Sequence, residues 1–400
     1  MRKHLLLLLL LPLSWLTSCS DDEDELRTAT VQVTVRNPEN YRESLAKETR
    51  VTLTNTDNGQ SQTVNTDDAA GLGRATFTDV LPGTYTVAAT RSLTEQQAQQ
   101  LTGITRAVVL NASRSGVSVS TGTSPAPVEL QLVGSPLGGL VIKEAYYTGS
   151  RTPTGGSYFS DQFFEIYNNS TSVIYLDSLC IADVYGSSGQ INPTTRPTEF
   201  QNDANHTYVS SVWQIPGTGR QHPLQPGQSI LIAQDGIDHR AVNSMSTVDL
   251  SRADWETYNE RPDGADVDAP GVPNLTRLYF TGGFDWLTTV FGPGIIIFKT
   301  TNFSQLQQVA IPNSTQPARI KVPNSLILDG FEALRDGNSS SFKRLAPVLD
   351  AGFVFATDTY AGESFRRRVE TTVGNRRVLK DTNNSGQDFE KLSRPTPKGF

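Results

Sequence analysis

Between residues 27 and 133 the apolar side chains recur at every second position, the period of a half-buried β-strand and not of a helix. Val31, Val33 and Val35 share one face, while Gln32, Thr34 and Arg36 take the other. Val51 and Leu53 repeat the pattern and stop at Asn55-Thr56-Asp57-Asn58-Gly59, a hairpin-turn signal. Ala75-Thr76-Phe77 leads through Val80-Leu81-Pro82-Gly83 to Tyr85 and Val87, and residues 107–110, 117–119 and 128–132 add further strands. Ser92-Leu93-Thr94-Glu95 matches a capping box and predicts one short helix running toward Leu101. Many short strands punctuated by turns predict an all-β sandwich.

A second pattern begins after the Gly-Ser-Pro-Leu-Gly-Gly linker at 134–139. Residues 140–147 add a strand, and 229–233, 294–298, 326–328 and 353–355 are largely continuous apolar runs, as expected of strands buried on both faces. Residues 163–167 and 173–176, joined through Asn168-Asn169-Ser170, predict a hairpin. At 400 residues a single core is disfavoured, so this is a mainly β chain of two sandwich domains, 27–133 and 140–400. A long insertion over 191–290 interrupts the second. Within it, Ser251-Arg252-Ala253-Asp254 predicts a short helix with Trp255 and Tyr258 on one side, ended by Pro262 and Gly264. With 36% apolar and 19% charged residues, the chain is too apolar and too weakly charged for intrinsic disorder.

The N-terminus carries an address. Arg2 and Lys3 precede a leucine run from Leu5 to Leu11, the pattern of a secretory signal peptide over 1–18 and too short to span a bilayer. Leu16-Thr17-Ser18-Cys19 resembles the bacterial lipobox, which implies lipidation of Cys19 and anchoring in the outer membrane by several acyl chains. The acidic run at 20–25, within a tether over 19–26, is similar to the export signal of Bacteroidota surface lipoproteins. That resemblance implies exposure at the cell surface; the run is also a self-repelling, solvated tether. Removing the signal takes the net charge from −7 to −9. Cys180 is then the sole cysteine, so no intramolecular disulfide is available, and its apolar neighbours predict a buried structural thiol.

Further motifs carry resemblances. The Leu-Pro-Gly-Thr-Tyr loop at 81–85 resembles prealbumin-like and carboxypeptidase-regulatory-like sandwiches. The segments 163–181, 224–233, 364–369 and 381–389, with 395–400 after them, resemble strands of a lamin-tail-like, immunoglobulin-type sandwich. The usual terminal Pro-Gly-x-Pro-Asn signature is missing, which leaves the pairing of the last strand open. Taken whole, the chain resembles a Bacteroidota lipoprotein family of unknown function, with 237–275 its most specific stretch. The family implies no established activity.

Candidate chemistry is sparse. Asp263, Asp266 and Asp268 bring three carboxylates into six residues and offer oxygen ligands to calcium, against the plainer reading of a solvated acidic loop; the spacing is not that of an EF-hand. His239, near Asp235 and Asp238, is a transition-metal candidate but more simply a satisfied surface histidine. Among the aromatics, Trp213, Trp255, Tyr258 and Trp286 lie in the insertion and are candidates for a ligand platform. Glu144, Asp161 and Glu165 flank strands and are the accessible choices for paired carboxylates. There is no Gly-x-Ser-x-Gly, His-Glu-x-x-His or Walker motif, so no catalytic residue is assigned and no cofactor beyond calcium is implied. Arg366-Arg367-Arg368 and Arg376-Arg377 with Lys380 form the one basic concentration. Alternation sends Arg367 opposite to Arg366 and Arg368, which with the acidic total speaks against a nucleic-acid partner and for the polar face of a strand pair, with an acidic partner surface or lipid headgroups as the alternative.

These features favour a lipid-anchored surface protein of binding or assembly function, with a glycan or an outer-membrane protein as partner, accessory to uptake or attachment. The alternatives are a surface hydrolase with its site in 191–290, and a structural adhesin stalk.

Overall fold

A computed structural model of the protein describes residues 28–38, 41–67, 73–102, 108–120, 125–136, 139–170, 172–186, 200, 202–264 and 266–400. The signal segment, Cys19 and the acidic tether lie outside the described residues.

The alternating valines do what their period predicts. Ala29–Arg36 forms the centre of a three-stranded sheet, antiparallel to Arg74–Val80 and parallel to Val128–Gln131. A five-stranded sheet, ordered Ser61–Asn65, Arg50–Asn55, Gly83–Leu93, Val108–Val119, Val133–Pro136, supplies the other layer. Val31, Val33 and Val35 meet Val51, Leu53, Phe77 and Val87 in one buried cluster. The Tyr85 hydroxyl donates to the Leu81 carbonyl at 2.7 Å and pins the Pro-Gly loop.

Three local expectations shift. The strands expected at 107–110 and 117–119 are one twelve-residue strand, because its polar middle pairs through the backbone with Gly83–Leu93. Val133–Pro136 pairs with Val108–Asn111, so the linker expected at 134–139 begins as an edge strand. The helix is Glu95–Thr102, capped by Thr94 and Gln97. Gln97 N donates to Thr94 Oγ1 at 3.2 Å, and Thr94 N donates to Gln97 Oε1 at 2.9 Å. The box lies two residues past the expected Ser92 because Ser92 and Leu93 are held in the strand, opposite Val109 and Val108.

In the second region a six-stranded sheet is ordered Trp255–Glu256, Ser229–Ala233, Phe163–Asn168, Leu140–Tyr146, Ser364–Arg367, Phe389–Leu392. The other sheet runs Gln307–Val309, Arg319–Pro323, His206–Gln214, Leu179–Val184, Gly294–Lys299, Ile327–Glu332, with Thr276–Tyr279 also paired to His206–Gln214. Ile142, Phe164, Ile166 and Phe365 from one sheet pack with Ile181, Trp213, Ile295 and Phe331 from the other. Both sheets are also covered outside, which is why the runs are continuously apolar. Tyr146, Phe163 and Leu231 lie under Val248, Leu250 and Val272. Cys180, Ala182, Ile296 and Phe298 lie under Leu345 and Leu349.

The hairpin expected across 163–176 does not form. Phe163–Asn168 pairs with Leu140–Tyr146 and Ser229–Ala233, whereas Ile174–Tyr175 pairs with Pro223–Leu224. The Asn-rich turn carries the chain from one sheet to the other, and Asn168 Nδ2 ties it down by donating to the Ser172 and Leu224 carbonyls, both at 2.8 Å. The expected insertion is also narrower than 191–290. His206–Gln214, Ser229–Ala233 and Thr276–Tyr279 are sheet strands, leaving most of 234–275 as the loop that covers the six-stranded sheet. No helix follows Ser251. Trp255–Glu256 instead runs parallel to Ser229–Ala233, since strand pairing and burial of the indole outweigh a local capping pattern. The last strand is Phe389–Leu392, paired with Ser364–Arg367.

Candidate functional site

The aromatic candidates serve the core. Trp213 is fully buried, and Trp255 and Trp286 are nearly so. The Trp213 ring lies 6.3 Å from Trp286, whose indole N–H donates to Asp183 at 2.9 Å. Tyr258 is half-buried, so three of the four cannot present a face to a ligand. Their position inside an apparent insertion suggested exposure, but the strands around them belong to the sheets.

The strand-flanking carboxylates are also structural. Glu144 and Glu165 are register partners on adjacent strands. Lys143 Nζ lies 2.8 Å from Glu165, and Ser364 Oγ donates to Glu144 at 2.7 Å. The C-terminal segment closes over them: Thr396 N and Oγ1 donate to Glu144 at 2.8 and 2.7 Å, and Lys398 N to Glu165 at 3.2 Å. Burial raises the Glu144 carboxyl above its ordinary range. Asp161 accepts from Tyr146, Ser150 and Ser246.

His239 is satisfied as expected, but buried and not at the surface. Its Nε2 donates to the Asp235 carbonyl at 3.0 Å, and its Nδ1 accepts from the Tyr158 hydroxyl at 2.7 Å. Burial lowers its pKa to about 4, so the ring is neutral with both nitrogens engaged and has no lone pair left for a metal. Cys180 is buried, and burial pushes its thiol up to about 12.

The acidic loop divides. Asp263 faces Arg261 at 2.6 Å on the surface, and Asp268 accepts from Asn274 Nδ2 at 2.8 Å. Only Asp266 turns inward, where Asp235 and Asp285 meet it; carboxylate oxygens of the three all lie within 4.8 Å of one another. Asp266 accepts from Asn259 N at 2.8 Å, and Asp285 accepts from Gln234 Nε2 at 2.5 Å. Burial, then neighbouring carboxylates, raise Asp285 to about 8 and Asp235 to about 7. Glu256 rises to about 7 through burial while receiving Gly236 N and Ala269 N. The sequence offers Asp266 with Asp263 and Asp268, and Asp235 with His239, but neither Asp285 nor this grouping, because residues up to fifty positions apart meet only when the covering loop folds over the sheet. The set is oxygen-rich and suits a hard cation.

A cleft of about 970 Å³ lies between the sheets of 29–136 and those of the second region. Strand alternation builds one wall. Val51 and Leu53 turn into the core, so Arg50, Thr52 and Thr54 face outward, joined by Thr63, Thr86, Ser113 and Ser115. The opposite wall holds Phe353, exposed Phe355, Lys343, Arg368 and Lys380. At the junction Asn111 Nδ2 donates to the Thr382 carbonyl at 2.8 Å. Of the residues singled out in the sequence, Arg368 and Lys380 of the basic concentration line this cleft, whereas the aromatic, carboxylate and histidine candidates do not.

Residues 225–396 match a family model described as a protein of unknown function (DUF4876). The fold is similar to the crystal structure of a DUF4876 family protein from Bacteroides thetaiotaomicron, with 26% identity and a TM-score of 0.56, over 90% of this chain and 94% of that one. No curated protein matches the chain. These findings agree with the expected Bacteroidota family of unknown function, and the matched stretch includes Asp235, Asp266 and Asp285. Among the described residues no helix is long and apolar enough to cross a membrane.

Proposed function

We propose that the chain is a member of this family that is lipid-anchored through Cys19, displayed at the cell surface, and binds glycans in the cleft between its two sandwiches. The cleft itself carries the reading. Ligand sites concentrate at domain junctions, and this volume is that of a site for an oligosaccharide or a molecule of similar size. Its chemistry fits a sugar. Threonine and serine hydroxyls both donate and accept, as sugar hydroxyls require. Phe355 offers an aromatic face to the apolar side of a pyranose. The basic side chains at the second wall favour glycans bearing carboxylate or sulfate groups.

A glycan-array screen of the soluble chain from Ser20 onward tests this. Acidic glycans should be retained, and Phe355→Ala or Thr52→Arg should abolish retention without changing the melting temperature. Turnover of a glycan library in place of binding would support a hydrolase, and binding that ignores both substitutions would move the site elsewhere. Protease shaving of intact cells tests the address: a surface protein is cut, a periplasmic one is spared.

A further inference from the structure

We infer that Asp235, Asp266 and Asp285, together with the side-chain oxygen of Gln234, form a calcium site that fastens the loop covering the six-stranded sheet. The three carboxylates come from separate stretches: the end of the Ser229–Ala233 strand, the loop beyond Trp255–Glu256, and the turn before Trp286. Their oxygens lie within 4.8 Å of one another. Two ligands of one calcium ion are at most about 5 Å apart when each Ca–O distance is about 2.3–2.6 Å, so one ion can reach all three.

A second observation is independent of the clustering. Asp285 Oδ1 and Gln234 Oε1 have no hydrogen-bond partner, although both residues are only 4% exposed. The two side chains are joined through Gln234 Nε2 and Asp285 Oδ2, so the unpartnered oxygens sit beside the carboxylate cluster. A buried acceptor without a donor is costly, and a cation supplies what both lack. Among the described residues no lysine or arginine forms an ion pair with any of the three aspartates, so no side chain neutralises them. The donors are all oxygen, and the nearby His239 has both ring nitrogens engaged, which favours a hard ion over zinc or copper. A crowded set of aspartates with an amide oxygen matches calcium's high, flexible coordination better than the rigid octahedron of magnesium.

Trp286 adjoins Asp285 in the chain and can sensitise terbium, a calcium mimic. Terbium added to the chelator-treated full chain should give indole-excited emission, displaced by calcium at far lower concentration than by magnesium. Asp266→Asn and Asp285→Asn should each lower terbium affinity at least tenfold. Thermal melts give a second readout. Calcium should raise the melting temperature of the wild type by several degrees and that of Asp285→Asn by little. In chelator, Asp285→Asn should melt at or above the wild type, because it relieves the crowding of three buried carboxyl groups. Equal destabilisation of Asp285→Asn with and without calcium, no calcium shift in the wild type, or equal competition by magnesium would each overturn the assignment.

Discussion

Arg367 offers the sharpest test of how the second sandwich is held together. It is 1% exposed, and its guanidinium reaches three carboxylates: Asp329 at 2.6 Å, and Asp381 and Asp388 at 3.3 Å each. It also donates to the carbonyls of Ile142 at 2.9 Å and Lys380 at 3.1 Å. Asp329 lies on the opposite sheet, so the cluster bridges both layers and the short Ser385–Asp388 helix. Arg367→Met keeps much of the volume and removes the only charge that compensates the three acids within the cluster. Breaking a buried pair costs about 3–5 kcal/mol, more than the roughly 1 kcal/mol of a neutral hydrogen bond, because the partner charge stays behind. The loss should therefore reach about 3–5 kcal/mol at pH 8.

The pH dependence has a defined sign. Burial already raises Asp329 to about 7 and Asp388 to about 6 with the arginine present, and removing it raises them further. A carboxyl whose folded pKa exceeds its unfolded value of about 3.9 binds its proton preferentially in the folded state. Its stabilising protonation is complete near and below the unfolded value and is lost as pH rises through the folded one. The deficit of Arg367→Met should therefore shrink from pH 8 to pH 5. Urea unfolding followed by the fluorescence of buried Trp213 measures both. A loss below about 1 kcal/mol at pH 8, or one unchanged at pH 5, would refute the reasoning.

Cys180 should resist thiol reagents in the native protein and react at once in denaturant, since burial pushes it up to about 12; rapid native labelling would contradict its place beneath Leu345 and Leu349. Gly292→Ala should cost roughly 2–3 kcal/mol in chemical denaturation. Gly292 has a φ of +113°, and a Cβ would sit 2.7 Å from the Leu334 carbonyl carbon, where only backbone could give way. Gly264→Asn, at φ +60° with nothing within 4 Å, should cost far less and serves as the control.

Local period was enough to place most strands. The inward faces of Val31, Val33, Val35, Val51 and Leu53 follow from alternation alone, because a pleated strand has no other way to segregate apolar from polar side chains. The continuous runs at 229–233 and 294–298 likewise announced strands covered on both sides. The odd fate of Arg367 among its neighbours was legible too: Arg366 pairs with Glu390 at the periphery while Arg367 turns inward. Partners were not legible. Nothing within 163–176 tells the chain that Phe163–Asn168 will pair with Ser229–Ala233 and not with its nearest apolar neighbour, because pairing is decided by which sheet has an open edge. Likewise the indoles of Trp213, Trp255 and Trp286 look alike in sequence whether they are buried or displayed.

The same division governs the sites. Residue types and spacing alone carried the mainly β class, the buried single thiol among the described residues, and Asp235 and Asp266 as separate candidates. Tertiary structure alone decided that Asp235 and Asp285 join Asp266 while Asp263 and Asp268 do not, and that a cleft opens between walls some three hundred residues apart in the chain. Periodicity is a property of neighbours along the chain. Convergence depends on where long loops close, and that closure is set by burial of surfaces no short segment contains.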